Sequence, residues 1–261
     1  MPAGPWPPVR CGRYGPVNPL EDIRRFWDAD AATYDLSPNH RASSPAESAA
    51  WAAALERLLP EAPARVLDAG AGTGFLALNA ARLGHEVTAI DLSPGMLSAL
   101  DRSAAHEGLT IGVIEAPAHE PPSGPFDAII ERHLLWTLPD PAGTLTAWRG
   151  AAPSGRLILF ESVWGAAGLP WDAARIRLQE ILRRARGLPP EHHGEYDPEL
   201  RASLPLAGGT PPEVLVELVE AAGWGPARLE RLRDIEWARA SSLPPLERLV
   251  GLQPRIAVTA G

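Results

Sequence analysis

From residue 65 onward short apolar runs alternate with longer amphipathic, alanine-rich stretches. The runs at 65–68, 86–90, 110–114, 126–130 and 155–161 have the length and boundaries of strands. The stretches at about 74–83, 94–106 and 141–150 carry apolar residues at helical spacing, and Ser93-Pro94 supplies a cap and first turn for the second of them. Strands alternating with helices of this length predict a parallel sheet covered on both faces. Its crossovers should be right-handed, and a ligand should lie at the carboxyl ends of the strands.

On either side the rhythm changes. Residues 1–18 form a Pro/Gly-rich tail with Trp6. A helix pattern then begins near Pro19 with Ile23, Phe26 and Trp27, and a second runs from Pro45 to Leu59 with Trp51, Leu55 and Leu58 in register before Pro60 and Pro63. Residues 163–207 break the alternation with a helix at about 171–186 and a Pro/His/Glu loop at 188–198, as an inserted lid would. The pattern resumes with a helix at 211–222 (Thr210 as cap, Gly223 as stop), a strand at 226–231, a helical stretch near 244–250 and a strand from Arg255 to Thr259. The last two strands suit an antiparallel hairpin at the sheet edge. The expected organisation is a tail and helical cap over 1–60 and one α/β domain over 61–261.

The first strand runs straight into glycines: Val66-Leu67-Asp68-Ala69-Gly70-Ala71-Gly72-Thr73-Gly74, and Asp91 closes the next strand, Val87-Thr88-Ala89-Ile90-Asp91. Glycines let backbone approach a ligand, a helix N-terminus offers N–H groups, and a later carboxylate can hold a ribose diol. That is a nucleoside site. A dinucleotide fingerprint would place its third glycine at 75, where Phe75 stands; the pattern is instead Asp-x-Gly-x-Gly-x-Gly.

Composition narrows the chemistry. A formal charge of −8 and a pI near 5.4 disfavour nucleic acid and anionic membrane as partners. No apolar run is long enough to span a bilayer and no signal-peptide pattern stands at the N-terminus, so a cytoplasmic location is expected. Cys11 is the only cysteine, which removes intramolecular disulfides and cysteine metal clusters. All 24 Lys+Arg residues are arginine, which excludes a lysine Schiff base and a P-loop lysine.

With its acid, three glycines and Asp91, the chain resembles the class I S-adenosylmethionine (SAM) methyltransferases, closest to bacterial small-molecule enzymes of secondary metabolism, antibiotic biosynthesis among it. The resemblance covers nearly the whole chain. It includes Phe26-Trp27 and Ala31-Ala32-Thr33-Tyr34-Asp35, similar to a cofactor-covering helix, and the intact run Arg132-His133-Leu134-Leu135-Trp136-Thr137-Leu138-Pro139-Asp140-Pro141. It implies a Rossmann-like, doubly wound, mostly parallel seven-stranded sheet with an antiparallel C-terminal edge, an N-terminal cap and a lid. It also implies that Asp68, Gly70, Gly72 and Gly74 surround the methionyl part of SAM, that Asp91 holds the ribose, that Leu92 and Met96 lie by the adenine, and that the run from Arg132 faces the sulfonium. One departure stands at Ala116-Pro117-Ala118-His119, where the family usually has Gly-Asp-Ala. Pro117 offers adenine no side-chain acceptor, which leaves the Ala118 N–H for N1 and water or His119 for N6.

Methyl transfer from a sulfonium needs alignment, exclusion of water and, for a protonated nucleophile, a base. His133 is the first candidate base, with a structural histidine bonding a carbonyl as the competing role. His193 and Tyr34 are further candidates, the first from the lid and the second as a cap over the site; His192 and Tyr196 share the lid. The His192-His193 pair lacks a metal-ligand partner at helical spacing, so no metal is expected. Asp68 can also cap the next helix, as any strand-end acid can, but its combination with three glycines and Asp91 favours the cofactor reading. Trp136, Trp164 and Trp171 suit an aromatic wall, whereas Trp148, Trp224 and Trp237 suit ordinary core. Arg183, Arg184 and Arg186 form a helix face, and His85 and His106 are expected at the surface. The expected activity is methyl transfer to oxygen or nitrogen of a small acceptor by a monomer or homodimer. The alternatives are a methyltransferase-fold protein that binds SAM for cyclase or binding roles and, less favoured by Phe75, a nicotinamide oxidoreductase.

Overall fold

A computed structural model describes residues 18–37, 40–164, 196–250 and 252–261, with residues 174, 177, 178, 181, 182 and 184 between them. Seven strands form one sheet: β1 (Arg65–Ala69), β2 (Glu86–Asp91), β3 (Ile111–Glu115), β4 (Ala128–Arg132), β5 (Arg156–Ser162), β6 (Arg228–Arg231) and β7 (Arg255–Ala260), in the order β3-β2-β1-β4-β5-β7-β6. The first five pair in parallel. β7 enters between β5 and β6 antiparallel to both, pairing Leu159 with Val258 and Leu229 with Val258, so the C-terminal hairpin forms as expected.

Helices cover both faces, which is why β1, β4 and β5 are nearly continuous apolar runs rather than alternating ones. One face packs under α2 (Pro45–Leu58), α3 (Phe75–Arg82) and α4 (Pro94–Glu107), the other under α5 (Pro141–Ala151) and α7 (Pro212–Ala221). Trp148 and Trp224 are buried in the second face, and each satisfies its indole N–H on a carbonyl, Ala118 O at 2.7 Å and Leu145 O at 3.0 Å. Side-chain caps begin α2, α4 and α5: Ser44, Ser93 and Asp140 accept from Glu47 N, Met96 N and Gly143 N.

The cap helix α1 (Pro19–Asp30) and α6 (Pro198–Ser203) share a third cluster of Ile23, Tyr196, Leu200, Leu204 and Ala207. The end of the expected lid is therefore packed on the N-terminal cap. His192, His193, Trp171, Arg183, Arg186 and the 188–195 part of the lid loop lie outside the described residues.

Several expectations need correction. The strand expected at 126–130 begins at Ala128, because Asp127 turns its carboxylate to the Arg65 N–H at 2.8 Å and Phe126 N bonds Ala151 O. Thr210 does not cap α7; Pro211 occupies that position, and the Thr210 hydroxyl donates to Ser162 O instead. Trp237 is not core but 72% exposed, on a helix that the pattern did not announce, α8 (Arg233–Ser242); α9 (Pro245–Val250) follows it. His85 is buried rather than at the surface, whereas His106 is exposed. Among the described residues no helix is long and apolar enough to cross a membrane.

Candidate active site

β1 and β4 are neighbours, but the chain leaves β1 towards β2 and reaches β4 only after β3. Crossovers therefore diverge at the β1/β4 junction, and a cleft opens above the carboxyl ends of these strands. Its empty space, open solvent included, is about 720 Å³. The glycine turn forms one wall. Gly70 has φ 67°, and a Cβ there would lie 2.6 Å from Leu134 Cδ1, so this wall is bare backbone by necessity.

Asp91 stands at the end of β2 beside that turn. Its Oδ2 accepts from Gly72 N and its Oδ1 from Ser93 N, both at 2.8 Å. Each oxygen keeps a second lone pair, which is what a vicinal diol needs. Burial raises the Asp91 pKa against these two stabilising bonds. Leu92, Met96, Pro117 and Ala118 continue the wall. Among the described residues no acidic side chain joins this part of the cleft, in keeping with proline at 117.

Three ties hold the cap over the cleft. Asp28 Oδ1 accepts from Ser93 Oγ at 2.9 Å and Gly95 N at 2.8 Å, placing a carboxylate at the N-terminus of α4. Thr73 Oγ1 donates to Asp35 Oδ1 at 2.8 Å, and Arg132 donates to His40 O at 2.8 Å. Between them Tyr34 stacks on His40, with ring centroids 3.7 Å apart, and His40 Nδ1 donates back to Tyr34 O. Burial raises the Tyr34 pKa, so its phenol is a neutral lid element. Arg132 is half-buried with its guanidinium 4.0 Å over the Phe75 ring, and desolvation lowers its pKa.

His133 follows β4 with φ 59°, the one non-glycine with positive φ among the described residues. Its N–H donates to Phe160 O on β5, and its Nδ1 lies 3.3 Å from Glu161 Oε2. The imidazole pKa is well below its ordinary value, through burial and then the nearby Arg132 and Arg255 cations. It is a neutral histidine at neutral pH. Behind the cap an aromatic layer links Trp27 to Tyr34, Trp136 and Tyr196 at 6.0–6.3 Å, and Trp136 to Trp164 at 5.7 Å.

The cleft thus brings together Tyr34, Gly70, Gly72, Asp91, Leu92, Met96, Ala118, Arg132 and His133. It does not include Asp68, Gly74 or His119. Asp68 is buried behind the turn and accepts from Ala77 N at 2.8 Å, the capping role open to a strand-end acid. Gly74 has φ 91° and backs onto Leu100, 2.6 Å from where a Cβ would stand. His119 lies outside, beside Glu120. Asp28, Asp35 and Glu161 were missed. Only Glu161 left a signal, as a charge inside the apolar run of β5; the other two owe their role to tertiary contacts. Among the described residues no cluster of His, Cys, Asp or Glu has metal-binding geometry.

Comparison with known proteins agrees with this geometry. A family model described as "Methyltransferase domain" matches residues 66–153, from β1 to the end of α5. The chain is 34% identical over 181 residues to a demethylmenaquinone methyltransferase of Thermus thermophilus, covering 66% of this chain and 79% of that protein. It is 36% identical over 140 residues to a ubiquinone biosynthesis O-methyltransferase of Xanthomonas axonopodis pv. citri, covering 52% of this chain and about half, 55%, of that protein. In fold it is similar to the Burkholderia thailandensis 1,6-didemethyltoxoflavin-N1-methyltransferase, with a TM-score of 0.57 and 20% identity over 97% and 92% of the two chains. The glycine turn, the strand-end acid beside it and these relatives together establish that the chain belongs to the class I SAM-dependent methyltransferases, with SAM as its cofactor.

Proposed function

We propose that this enzyme methylates an oxygen, or by the same geometry a nitrogen, on a flat aromatic small molecule of natural-product type. The observation that carries this reading is the meeting of a ring-walled cap with a neutral, half-buried histidine at the carboxyl end of β4. Bound SAM supplies an electrophilic methyl group on sulfur. Asp91 holds the ribose, the backbone at Gly70 and Gly72 lines the methionyl portion, Leu92, Met96 and Ala118 flank adenine, and Arg132 offers its guanidinium to the methionyl carboxylate. Asp68, Gly74 and His119 act at one remove: Asp68 and Gly74 shape the turn, and His119 stands outside it. Trp27 and Tyr34 exclude water and face the acceptor, and His133 takes its proton. His193 from the lid is a second candidate for that contact.

The relatives act on quinone precursors according to their names, which supports a ring-bearing acceptor. We read residues 1–60 as tail and cap and 61–261 as the SAM-binding domain with its lid. We also read the enzyme as a cytoplasmic monomer or homodimer whose acidic charge keeps it from nucleic acid and membrane. The test supplies SAM with hydroxylated benzoates, hydroquinones and aliphatic amines and measures S-adenosylhomocysteine (SAH) released. Ring hydroxyls should be methylated. His133→Ala should keep SAH affinity and slow turnover about 10²-fold or more, the usual scale of a lost general base. Turnover on aliphatic amines alone, or undiminished turnover in His133→Ala, would refute the reading.

A further inference from the structure

β5 is apolar from Leu157 to Phe160 and then carries two polar residues, Glu161 and Ser162, both buried. A carboxyl group without solvent is costly and needs a reason. Glu161 Oε2 lies 3.3 Å from His133 Nδ1, and Ser162 Oγ lies 3.5 Å from His133 Nε2, so β5 addresses both nitrogens of one ring. The ring is presented to them by the left-handed backbone at His133, a conformation that costs a non-glycine residue about 1–2 kcal/mol and persists only where its surroundings hold it.

We propose that Glu161 is a positioning residue that selects the reactive tautomer of His133: the carboxylate holds the proton on Nδ1 and leaves the Nε2 lone pair for the acceptor. This rests on the reading of His133 as the base. In the transfer the acceptor O–H bond breaks and its proton passes to Nε2. The oxygen's electron pair forms the new O–CH₃ bond, and the S–CH₃ bond breaks with its electrons left on sulfur as a neutral thioether. Nδ1–H to Glu161 then stabilises the imidazolium, which returns its proton to water after release. Ser162 Oγ, at a long 3.5 Å, is the group that the acceptor hydroxyl displaces.

The charged surroundings make the arrangement conditional. Glu131 on β4 faces Glu161, Arg132 and Arg255 on β4 and β7 bear on His133, and Asp68 on β1 bears on Glu131. Burial pushes the Glu161 carboxyl up to about 8. When protonated, Glu161 donates to Nδ1 and forces the proton on the ring to Nε2, the tautomer with no lone pair for the acceptor. Ionisation of Glu161 therefore switches the ring into its basic form.

The test is ¹⁵N NMR of the histidine rings in full-length protein saturated with SAH, with His133 assigned through His133→Asn. In wild type the Nδ1–H tautomer should predominate at pH 9 and yield to Nε2–H as pH falls through about 8. In Glu161→Leu the Nε2–H form, which free imidazole side chains prefer, should predominate wherever the ring is neutral; Glu161→Gln should likewise abolish the pH-dependent exchange. An Nε2–H ring in wild type at pH 9, an unchanged tautomer in Glu161→Leu, or a persisting pH-dependent exchange in Glu161→Gln overturns the proposal. If both variants fail to fold, the wild-type titration alone decides. The readout does not depend on any acceptor, so failure of the methylation reading appears separately, in the SAH-release assay.

Discussion

Replacing Gly70 by alanine separates backbone strain from steric obstruction, because Gly72 provides a matched control two residues away. Both glycines are left-handed, with φ of 67° and 55°. Each Ala variant therefore pays about 1–2 kcal/mol for that conformation, offset by roughly 0.4–1 kcal/mol from a stiffer unfolded chain. At Gly72 little else changes, since a Cβ would meet only Tyr34 Cε1 at 4.0 Å. At Gly70 it would lie 2.6 and 2.8 Å from the two terminal carbons of Leu134, which must move, at an overpacking cost of about 1–3 kcal/mol. Gly72→Ala should lose about 0–1.5 kcal/mol and Gly70→Ala about 1–4.5 kcal/mol in urea unfolding. Leu134 also lines the cleft, so Gly70→Ala should weaken SAH binding more than Gly72→Ala does by calorimetry. Equal losses in the two variants, in stability and in affinity, would refute the claim that Leu134 sets the wall.

Two further perturbations test the buried charges. Burial holds Asp68 at about 8 against an ordinary 3.8, so the folded state keeps a proton that the unfolded state has released, and stability should fall as pH rises between those values. Asp68→Asn keeps an acceptor for the Ala77 N–H and removes the titration; its melting temperature should show a flatter pH profile and exceed wild type at pH 8, and parallel profiles would contradict this. Glu47 is buried with its Oε1 3.4 Å from both Arg239 and Arg255, and its Oε2 takes the Ser43 N–H and hydroxyl. Glu47→Gln removes the buried negative charge that faces Arg239 and Arg255 and should cost about 3–5 kcal/mol in urea unfolding, whereas a loss below about 1 kcal/mol would sink the argument.

The sheet was legible because its strands are short apolar runs punctuated by caps and glycines, signals that act over a few residues. The turn from Asp68 to Gly74 and the acid at Asp91 were legible for the same reason. What escaped was set by distant contacts. Helix α8 carries Arg233, Asp234, Glu236 and Arg239 among its few apolar positions, and its packing, chiefly on α2, with Ile235 and Ala238 buried makes it a helix of this fold. Asp28 reads locally as one more acid on α1, yet it joins the cap to α4 across 65 residues. Asp68 shows the converse: the motif was read correctly, but the side chain turned inward to the helix behind the turn and left contact with the cleft to Asp91.

The central claim, that Asp91 and the glycine turn form the SAM site, is tested most directly by calorimetric titration of SAH into wild type and Asp91→Ala, with circular dichroism verifying that both are folded. Wild type should bind at one site per chain. The variant should bind roughly 10–100-fold more weakly, the effect of losing one charge-assisted hydrogen bond of about 1.5–3 kcal/mol. No binding by wild type, or equal affinity in the folded variant, would contradict the account.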